Sequence, residues 1–153
     1  MLQPFNILLL LLLHVFSTSA DPDKFRFDVS FQCNYSPSYH YKVQFVEWDW
    51  WLFNSDDVIT QEKQGEAPSG IFNFTMSGFL NGDELTSEGY DVRMKLSHNC
   101  TQNHEDVDSY MTIKPLCKIG EGLCYFRITK DISDAKGDIR VYGNLVDYNY
   151  NVL

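Results

Sequence analysis

The sequence is poor in basic side chains. Its 153 residues contain 12 Lys and Arg against 21 Asp and Glu, so the formal net charge at pH 7 is −9. Runs of basic residues are absent as well. Because an acidic protein is repelled by phosphate backbones and by anionic lipid surfaces, we expect no nucleic-acid partner.

Charged residues are missing altogether from residues 1–20. Within this segment an apolar run from Ile7 to Leu13 is followed by small residues up to Ala20. The pattern predicts a secretory signal peptide that is cleaved after about Ala20. A transmembrane anchor is the alternative, but the run is shorter than the roughly 20 apolar residues that a span needs. No later segment is long or apolar enough to span a membrane, so we expect a secreted protein with one domain at 21–153.

Sustained helical periodicity is absent too, and strict alternation takes its place. In Lys24–Cys33 the apolar residues share one parity and the polar residues the other, as in a strand with one buried face. Further strands are predicted at Tyr41–Asp49, Val58–Glu62, Ile71–Ser77, Tyr90–His98, Tyr110–Ile113, Cys124–Thr129 and Asp138–Tyr148. Loops are predicted at Asn34–Pro37, Lys63–Gly70, Gly78–Gly89, Asn99–Asp108, Cys117–Leu123 and Asp131–Gly137. About six to eight short strands without crossover helices favour an all-β, antiparallel sandwich.

Only four cysteines are present, at Cys33, Cys100, Cys117 and Cys124. In a secreted chain an even number of cysteines predicts disulfides, here two, and four cysteines allow three pairings. Zinc is the alternative, but Cys117 and Cys124 are too widely spaced for a CxxC knuckle. We therefore expect two disulfides and no metal.

Motifs for catalysis are also missing, including those of serine hydrolases, P-loops, dinucleotide-binding folds and HExxH metalloproteases. Cysteines in disulfides cannot act as thiolate nucleophiles. His98 and His104 lie near acidic residues, but no ligand spacing specifies a metal site. We interpret His98, at the end of a strand, as a structural hydrogen-bond partner, and the acidic loop around Glu105 as solvated charge. We expect no enzymatic activity, no catalytic residue and no cofactor.

Three Asn-X-Ser/Thr sequons, at Asn34, Asn73 and Asn99, support an extracellular glycoprotein. The motif is common by chance, so each sequon alone is weak evidence. Asn73 and Thr75, however, fall on the polar parity of the strand Ile71–Ser77, where a glycan is tolerated. We predict glycosylation at the three asparagines.

All three tryptophans lie in one short segment. Aromatic residues occupy both parities there, so the strand pattern breaks and some rings are expected to be partly exposed. One hypothesis makes Trp48, Trp50 and Trp51 a binding patch, since tryptophan is frequent in interface hot spots. The alternative, favoured by the apolar area of each ring, is that the three rings cap one end of the core.

A series of short motifs runs through the chain in a fixed order. The first part contains Cys33-Asn34, Pro37, Val43, Phe45, Glu47 and Asp49, which form a C-x3-P, V-x-[LF] and acidic pattern. The rest contains Asp56-Asp57, Gly70-Ile71-Phe72, Gly78, His98-Asn99-Cys100, Cys124, Ile139, Gly143 and Leu145. In order and spacing these motifs resemble the nematode transthyretin-like family of secreted proteins, over most of the chain after the leader. The chain departs from that family at Val29, where members usually carry glycine, in its additional Cys117, and in lacking a cysteine near the C-terminus.

The resemblance implies a transthyretin-like or immunoglobulin-like β-sandwich of about seven to eight strands, secretion, and no catalytic activity. With the additional Cys117, it also implies disulfides between Cys100 and Cys124 and between Cys33 and Cys117. The related hydroxyisourate hydrolases end in a YRGS-type tail, whereas this chain ends in the sequence YNYNVL. Their activity is therefore not expected here.

Two hypotheses for function follow. The first is a non-enzymatic extracellular binding protein that engages a protein, a glycan or a cell-surface partner, with Trp48, Trp50 and Trp51 as the contact. The second is a carrier of a small apolar ligand or lipid, held between the sheets or at the interface of a homo-oligomer. An enzyme is the weakest hypothesis, because the sequence specifies neither an activated nucleophile nor a metal site.

Overall fold

The computed structural model describes residues 21–48, 56–81 and 89–145. The predicted signal peptide at 1–20 and the tryptophans Trp50 and Trp51 lie outside these ranges. The described residues form strands and no helix, which confirms the all-β prediction. None of them belongs to a helix of the length and apolarity that a membrane span requires.

Eight strands follow one another along the chain. They are β1 (Asp23–Glu47), β2 (Asp57–Val58), β3 (Lys63–Leu80), β4 (Val92–His98), β5 (Val107–Lys114), β6 (Leu123–Asp131), β7 (Gly137–Tyr142) and β8 (Asn144–Leu145). In β1 and β6 the side chains of alternate residues are buried, as the alternation of apolar residues predicts.

The longest strand, β1, folds back on itself. Phe27 and Phe45 both belong to it, and a straight strand would separate them by about 60 Å. Their rings instead stack with centroids 3.7 Å apart and planes 3° apart. The bend coincides with a shift in the register between β1 and β3, which falls between Cys33 and Ser38. The two halves of β1 therefore lie in opposite layers.

Each half of β1 organises its own group of strands. The first half, Asp23–Cys33, pairs with β3 on one edge and with β6 on the other, and β6 pairs with β8. The second half, Ser38–Glu47, pairs with β3 and β2 on one edge and with β4 on the other. The order then continues from β4 through β5 to β7. Because only Gly143 separates β7 from β8, one segment joins the two groups and the sheet is nearly closed.

The sheet is mixed, so the prediction of a purely antiparallel sheet is wrong. β1 pairs with β6 in parallel, and β5 pairs with β7 in parallel. Parallel neighbours need a crossover connection, which is usually a helix. Here β6 is the crossover between β5 and β7, because it lies between them in sequence and pairs with the first half of β1. The absence of predicted helices therefore did not exclude parallel pairs.

Two predicted loops are wrong as well. Asn34–Pro37 lies inside β1 and Lys63–Gly70 lies inside β3. The second segment is polar and contains Pro68, but within the described residues the hydrogen-bonded ladder of β3 involves β1 alone. A proline is tolerated on such an edge strand, because the strand lacks a ladder partner on its other side.

Aromatic rings fill the space between the two layers. Phe27 also stacks on Phe126 of β6, with centroids 5.6 Å apart, and Phe25 meets the ring of Tyr90 edge-on at 5.1 Å. These rings are almost fully buried, as is Phe31. Phe25, Phe27 and Phe31 lie on the apolar parity of Lys24–Cys33, so the prediction that this parity forms a buried face is confirmed.

Two disulfides are present, as predicted, but the predicted pairing is wrong. Cys33 pairs with Cys100, and Cys117 pairs with Cys124, with Cα atoms 5.9 and 5.8 Å apart. The bend of β1 brings Cys33 to the residues that follow β4, where Cys100 lies. Cys117 and Cys124 close the short connection between β5 and β6, so neither is available to the other pair.

Candidate functional site

An open, polar sheet surface is formed by the outward residues of β3, the first half of β1, and β6. Alternation turns Phe25 and Phe27 into the core, so Arg26 and Asp28 point outward. The pairing register aligns three outward rows, which are Ser77–Arg26–Tyr125, Thr75–Asp28–Arg127 and Asn73–Ser30–Thr129. We refer to Arg26, Asp28, Thr75, Tyr125 and Arg127 as the arginine face.

Asp28 lies at the centre of the arginine face and accepts hydrogen bonds from three neighbours. Thr75 Oγ1 donates to Asp28 Oδ1 at 2.8 Å, Arg26 Nε donates to the same oxygen at 3.2 Å, and the Tyr125 hydroxyl donates to Oδ2. Desolvation by burial acts to raise the pKa of Asp28. The hydrogen bonds from Tyr125, Thr75 and Arg26 outweigh it and hold the pKa below its ordinary value. Asp28 is therefore a carboxylate at neutral pH.

Two guanidinium groups flank the ring of Tyr125. The Cζ atoms of Arg26 and Arg127 lie 5.0 and 5.4 Å from the ring centroid, within the range of cation–π attraction. Arg127 Nε also donates a hydrogen bond to the Tyr125 hydroxyl at 3.2 Å, and this bond raises the pKa of Arg127. The tyrosine itself is buried. The arginines are thus held in position by contacts on both the ring and the hydroxyl of one residue.

A shallow groove of about 450 Å³ crosses this surface. Its outward lining includes both arginines together with Ser30, Asn73 and Thr129. With Lys24 on the same parity of β1 and Asp131 on that of β6, the surface carries three basic and two acidic residues in a chain of net charge −9. Its charge is therefore opposite to that of the whole molecule, which favours an anionic partner.

The predicted tryptophan patch is described in part. Trp48 is half-buried, and its backbone N–H donates to the carbonyl oxygen of Asp91 at 3.0 Å. The guanidinium carbon of Arg93 lies 3.9 Å from the centroid of the Trp48 ring. One side of this ring is therefore occupied by a neighbour. Trp50 and Trp51 lie outside the described residues, so the patch as a whole stays a prediction.

The three sequon asparagines have different surroundings. Asn73 is exposed on the outward side of β3. Asn34 donates from Nδ2 to Asp131 at 3.0 Å and accepts from Gln32 at 3.0 Å. Asn99 is only partly exposed, and its Oδ1 accepts a 2.7 Å hydrogen bond from the backbone of His40. Glycosylation at all three positions stays a prediction, and Asn73 is the position with the most open surroundings.

His98 is a buried structural residue. Its Nδ1 accepts a hydrogen bond from the N–H of Cys100 at 3.1 Å, so Nε2 carries the proton and donates to the carbonyl oxygen of Ala135 at 2.8 Å. Burial lowers the pKa of His98 and keeps the ring neutral. The interpretation of His98 as a hydrogen-bond partner is therefore confirmed. Within the described ranges no group of three His, Cys, Asp or Glu is placed to hold a metal ion.

The described part of the core gives little support to the carrier hypothesis. The stacked rings of Phe27, Phe45 and Phe126 occupy the centre of the space between the layers. A small apolar ligand held between the sheets would have to displace them. The hypothesis stays untested for an interface between two copies of the chain.

A family profile described as "Caenorhabditis elegans protein of unknown function (DUF870)" matches residues 15–118, more than half of the chain. The chain belongs to this family. No curated protein and no solved structure matches it. DUF870 membership is consistent with a nematode origin, while the resemblance to transthyretin-like proteins stays a prediction. The DUF870 match covers β1 to β5 and ends before β6, which carries Tyr125 and Arg127.

The sequence indicated the parts of the arginine face but not the face itself. Alternation placed Arg26 and Asp28 on the polar side of the first predicted strand. It also placed Tyr125 and Arg127 opposite the apolar side of Cys124–Thr129. The sequence did not indicate that β1 pairs with β6, and this pairing brings the two polar sides together.

Proposed function

We propose that this DUF870 protein is a secreted, non-enzymatic extracellular binding protein that engages its partner through the arginine face. The observation that carries the proposal is the fixed arrangement of Arg26 and Arg127 around Tyr125, with Asp28 bonded to two of the three. Arginine and tyrosine dominate the energetics of many interfaces. Side chains that are already held in place lose little entropy on binding.

Secretion is part of the proposal and is supported by three independent features. Two disulfides are typical of proteins that fold in an oxidising compartment. The leader at 1–20 has the pattern of a signal peptide. The sequon Asn73 is exposed on a described strand, as a glycan acceptor in a secreted protein should be.

The finer fold assignment is proposed as well. A transthyretin-like or immunoglobulin-like sandwich is supported by the two layers that the bend of β1 creates and by the aromatic core between them. The parallel pairs β1–β6 and β5–β7 are the features that such an assignment has to accommodate.

The arginine face is a better candidate than the tryptophan patch on present observations. Its polar groups lie on an open sheet surface and line a groove. In the patch, the Trp48 ring is half-buried and is covered on one side by Arg93. Trp50 and Trp51 remain as competing residues, and the test below includes them.

The test is capture of binding partners from nematode extracellular fluid with the tagged, glycosylated protein. Four baits are compared, which are the wild type, Arg26→Ala/Arg127→Ala, Trp50→Ala/Trp51→Ala and Lys118→Ala/Lys136→Ala. The last variant removes two exposed basic residues from loops outside the face and serves as the matched charge control. Folding of every bait is checked by circular dichroism and urea unfolding.

We expect components that the wild type and the lysine control retain and that the arginine variant loses. The same set of components on all four baits would overturn the proposal. So would a set that only the tryptophan variant loses, because the contact would then be the tryptophan patch.

A further inference from the structure

We infer that the partner of the arginine face is an anionic polysaccharide, a sugar chain that carries sulfate or carboxylate groups. Since it rests on the proposed binding function, this inference names the chemical class of the partner. It follows from the charge of this surface, from the available Nη atoms of Arg127 and from the polar side chains that line the groove.

Three basic residues of β4 and β5 form ion pairs on the opposite sheet surface, whereas Lys24 and Arg127 form none within the described residues. On β4 and β5 the ion pairs are Lys95–Asp56 at 2.7 Å, Lys114–Asp91 at 2.9 Å and Arg93–Asp138 at 3.9 Å. On the arginine face the single carboxylate, Asp28, forms its ion pair with Arg26 at 3.2 Å. The arginine face is therefore left with an excess of positive charge.

Arg127 is the group that is free to bind an anion. Within the described residues, the one hydrogen bond of its side chain runs from Nε to the Tyr125 hydroxyl, and the side chain forms no ion pair there. The Nη atoms are therefore available to a ligand. A guanidinium presents them as a planar fork that matches the oxygens of a sulfate or carboxylate.

The net charge of −9 does not prevent this interaction at physiological salt. Charges are screened beyond about 8 Å at an ionic strength of 0.15 M. A ligand on the arginine face is therefore governed by Lys24, Arg26 and Arg127, which lie on this surface, more than by acidic loops elsewhere. The acidic residues on the rest of the molecule instead disfavour the binding of an anionic ligand at other surfaces.

The lining of the groove favours a sugar chain over an acidic protein. Ser30 and Thr129 supply hydroxyl groups that can bond sugar hydroxyls. The centres of protein–protein interfaces are rich in aromatic residues and depleted of charged residues other than arginine. Here the ring of Tyr125 is only 6% exposed beneath the arginines.

The position of Asn73 sets a boundary for the ligand. This sequon lies in the row beyond Thr75 and Asp28. A glycan attached to Asn73 would cover the β3 side of the groove, so the polysaccharide is placed over β1 and β6, along Arg26, Ser30, Arg127 and Thr129 and toward Lys24. Binding should therefore survive the change Asn73→Gln.

The experiment measures retention of the glycosylated protein on immobilised heparin and its affinity for soluble polysaccharides near 0.15 M NaCl. Dextran sulfate and hyaluronan distinguish sulfate from carboxylate recognition, and uncharged dextran is the negative control.

We expect Arg26→Ala/Arg127→Ala to weaken binding to the charged polymers by roughly tenfold or more, because each arginine supplies charge-assisted hydrogen bonds. The control Lys118→Ala/Lys136→Ala, with the same change in net charge, should bind within about twofold of the wild type. Lys24→Ala/Arg127→Ala is the second variant, because it leaves the Arg26–Asp28 contact intact if the first fails to fold.

Absence of retention on every charged polymer would overturn the inference, as would equal losses in the arginine variant and the lysine control. If the polymers do not bind but the arginine variant still loses components in the capture experiment, the proposed function stands and the partner is an acidic protein. If neither experiment depends on the arginines, the proposed function fails too.

Discussion

Asp28 shows how one carboxylate can fix the side chains of a polar sheet surface. It bonds Thr75 on β3, Arg26 on its own strand and Tyr125 on β6, so it links three strands at the surface. At the residue scale, the positions of the arginines depend on this anion. The Tyr125 hydroxyl, which donates to Asp28, also accepts a hydrogen bond from Arg127 and so links Arg127 to Asp28.

The first prediction concerns the change Asp28→Asn. In the wild type the pKa of Asp28 is lowered in the folded protein. The stability that the charged carboxylate provides is therefore present above about pH 4 and is lost as the pH falls through the folded pKa. We expect the variant to be less stable at pH 7 by about 1 kcal/mol, because hydrogen bonds to a charged group are weakened. Urea unfolding between pH 7 and pH 3 should show the difference shrinking toward the acid end. A difference that grows on acidification would contradict this role of Asp28.

The second prediction concerns His98. Burial lowers its pKa below the ordinary 6.5, although the Ala135 carbonyl, Asp108 and Asp134 act in the opposite direction. As the pH falls through about 6.5 the unfolded chain gains a proton that the folded protein does not, so the wild type loses stability between pH 7 and pH 5. His98→Gln should remove this part of the pH dependence. It should also cost about 1–3 kcal/mol at pH 7, because one buried hydrogen bond is lost.

Urea unfolding curves at several pH values measure both effects of His98→Gln. His40→Gln is the matched control, because His40 is exposed and its side chain is outside the core. The control should change stability by less than about 0.5 kcal/mol. A pH dependence that is identical in the wild type and His98→Gln would exclude His98 as its source.

At the scale of single strands, the sequence predicted the alternating segments well and the exceptions poorly. Lys24–Cys33 and Cys124–Thr129 are strands with the predicted buried parity. Lys63–Gly70 is a strand whose composition resembles that of a loop, because β3 lies at the edge of the sheet and uses Pro68 and glycines there. Such residues are turn signals in isolation, and only the position of the strand in the sheet makes them acceptable.

The third prediction tests a contact between the open edge of β3 and the segment that precedes this strand. Thr60 forms a bridge with Gly78, and a Cβ atom at Gly78 would overlap the carbonyl oxygen of Ile59. Because the obstacle is backbone, Gly78→Ala should destabilise the protein by roughly 1–3 kcal/mol. Urea unfolding measures the loss, with the exposed neighbour Ser77→Ala as control. Equal stability of the two variants would mean that the segment around Ile59 moves away at no cost.

At the scale of the whole molecule, the arrangement depends on contacts that no local pattern encodes. The pairing of Phe25 with Cys124 joins residues near opposite ends of the described chain. Alternation gives the face on which each residue lies, but it does not say which strand becomes its neighbour. The arginine face, the parallel pairs and the disulfide pairing all follow from that choice of neighbours, which is why the sequence did not predict them.

The fourth prediction compares the two disulfides. Cys33–Cys100 joins the two layers across a separation of 67 residues, whereas Cys117–Cys124 spans 7 residues. In the chain-entropy account, removing the first should cost about 4 kcal/mol and removing the second about 2 kcal/mol. Urea unfolding of Cys33→Ala/Cys100→Ala and Cys117→Ala/Cys124→Ala measures the order. A larger loss from the short-range pair would show that the loop at 118–123 matters more than the link between layers.

The strand β6, which is the parallel neighbour of β1, is synthesised long after β1. The carboxylate of Asp23, at the start of β1, accepts a hydrogen bond from the backbone N–H of Gly122, 99 residues further along the chain. A ribosome adds about 5–20 residues per second, so the first strand emerges roughly 5–20 s before β6 can join it. During this interval β3 can cover only one edge of the strand, and its apolar side chains have an incomplete core. The apolar side of the first strand therefore stays accessible to other chains until the last strands are synthesised.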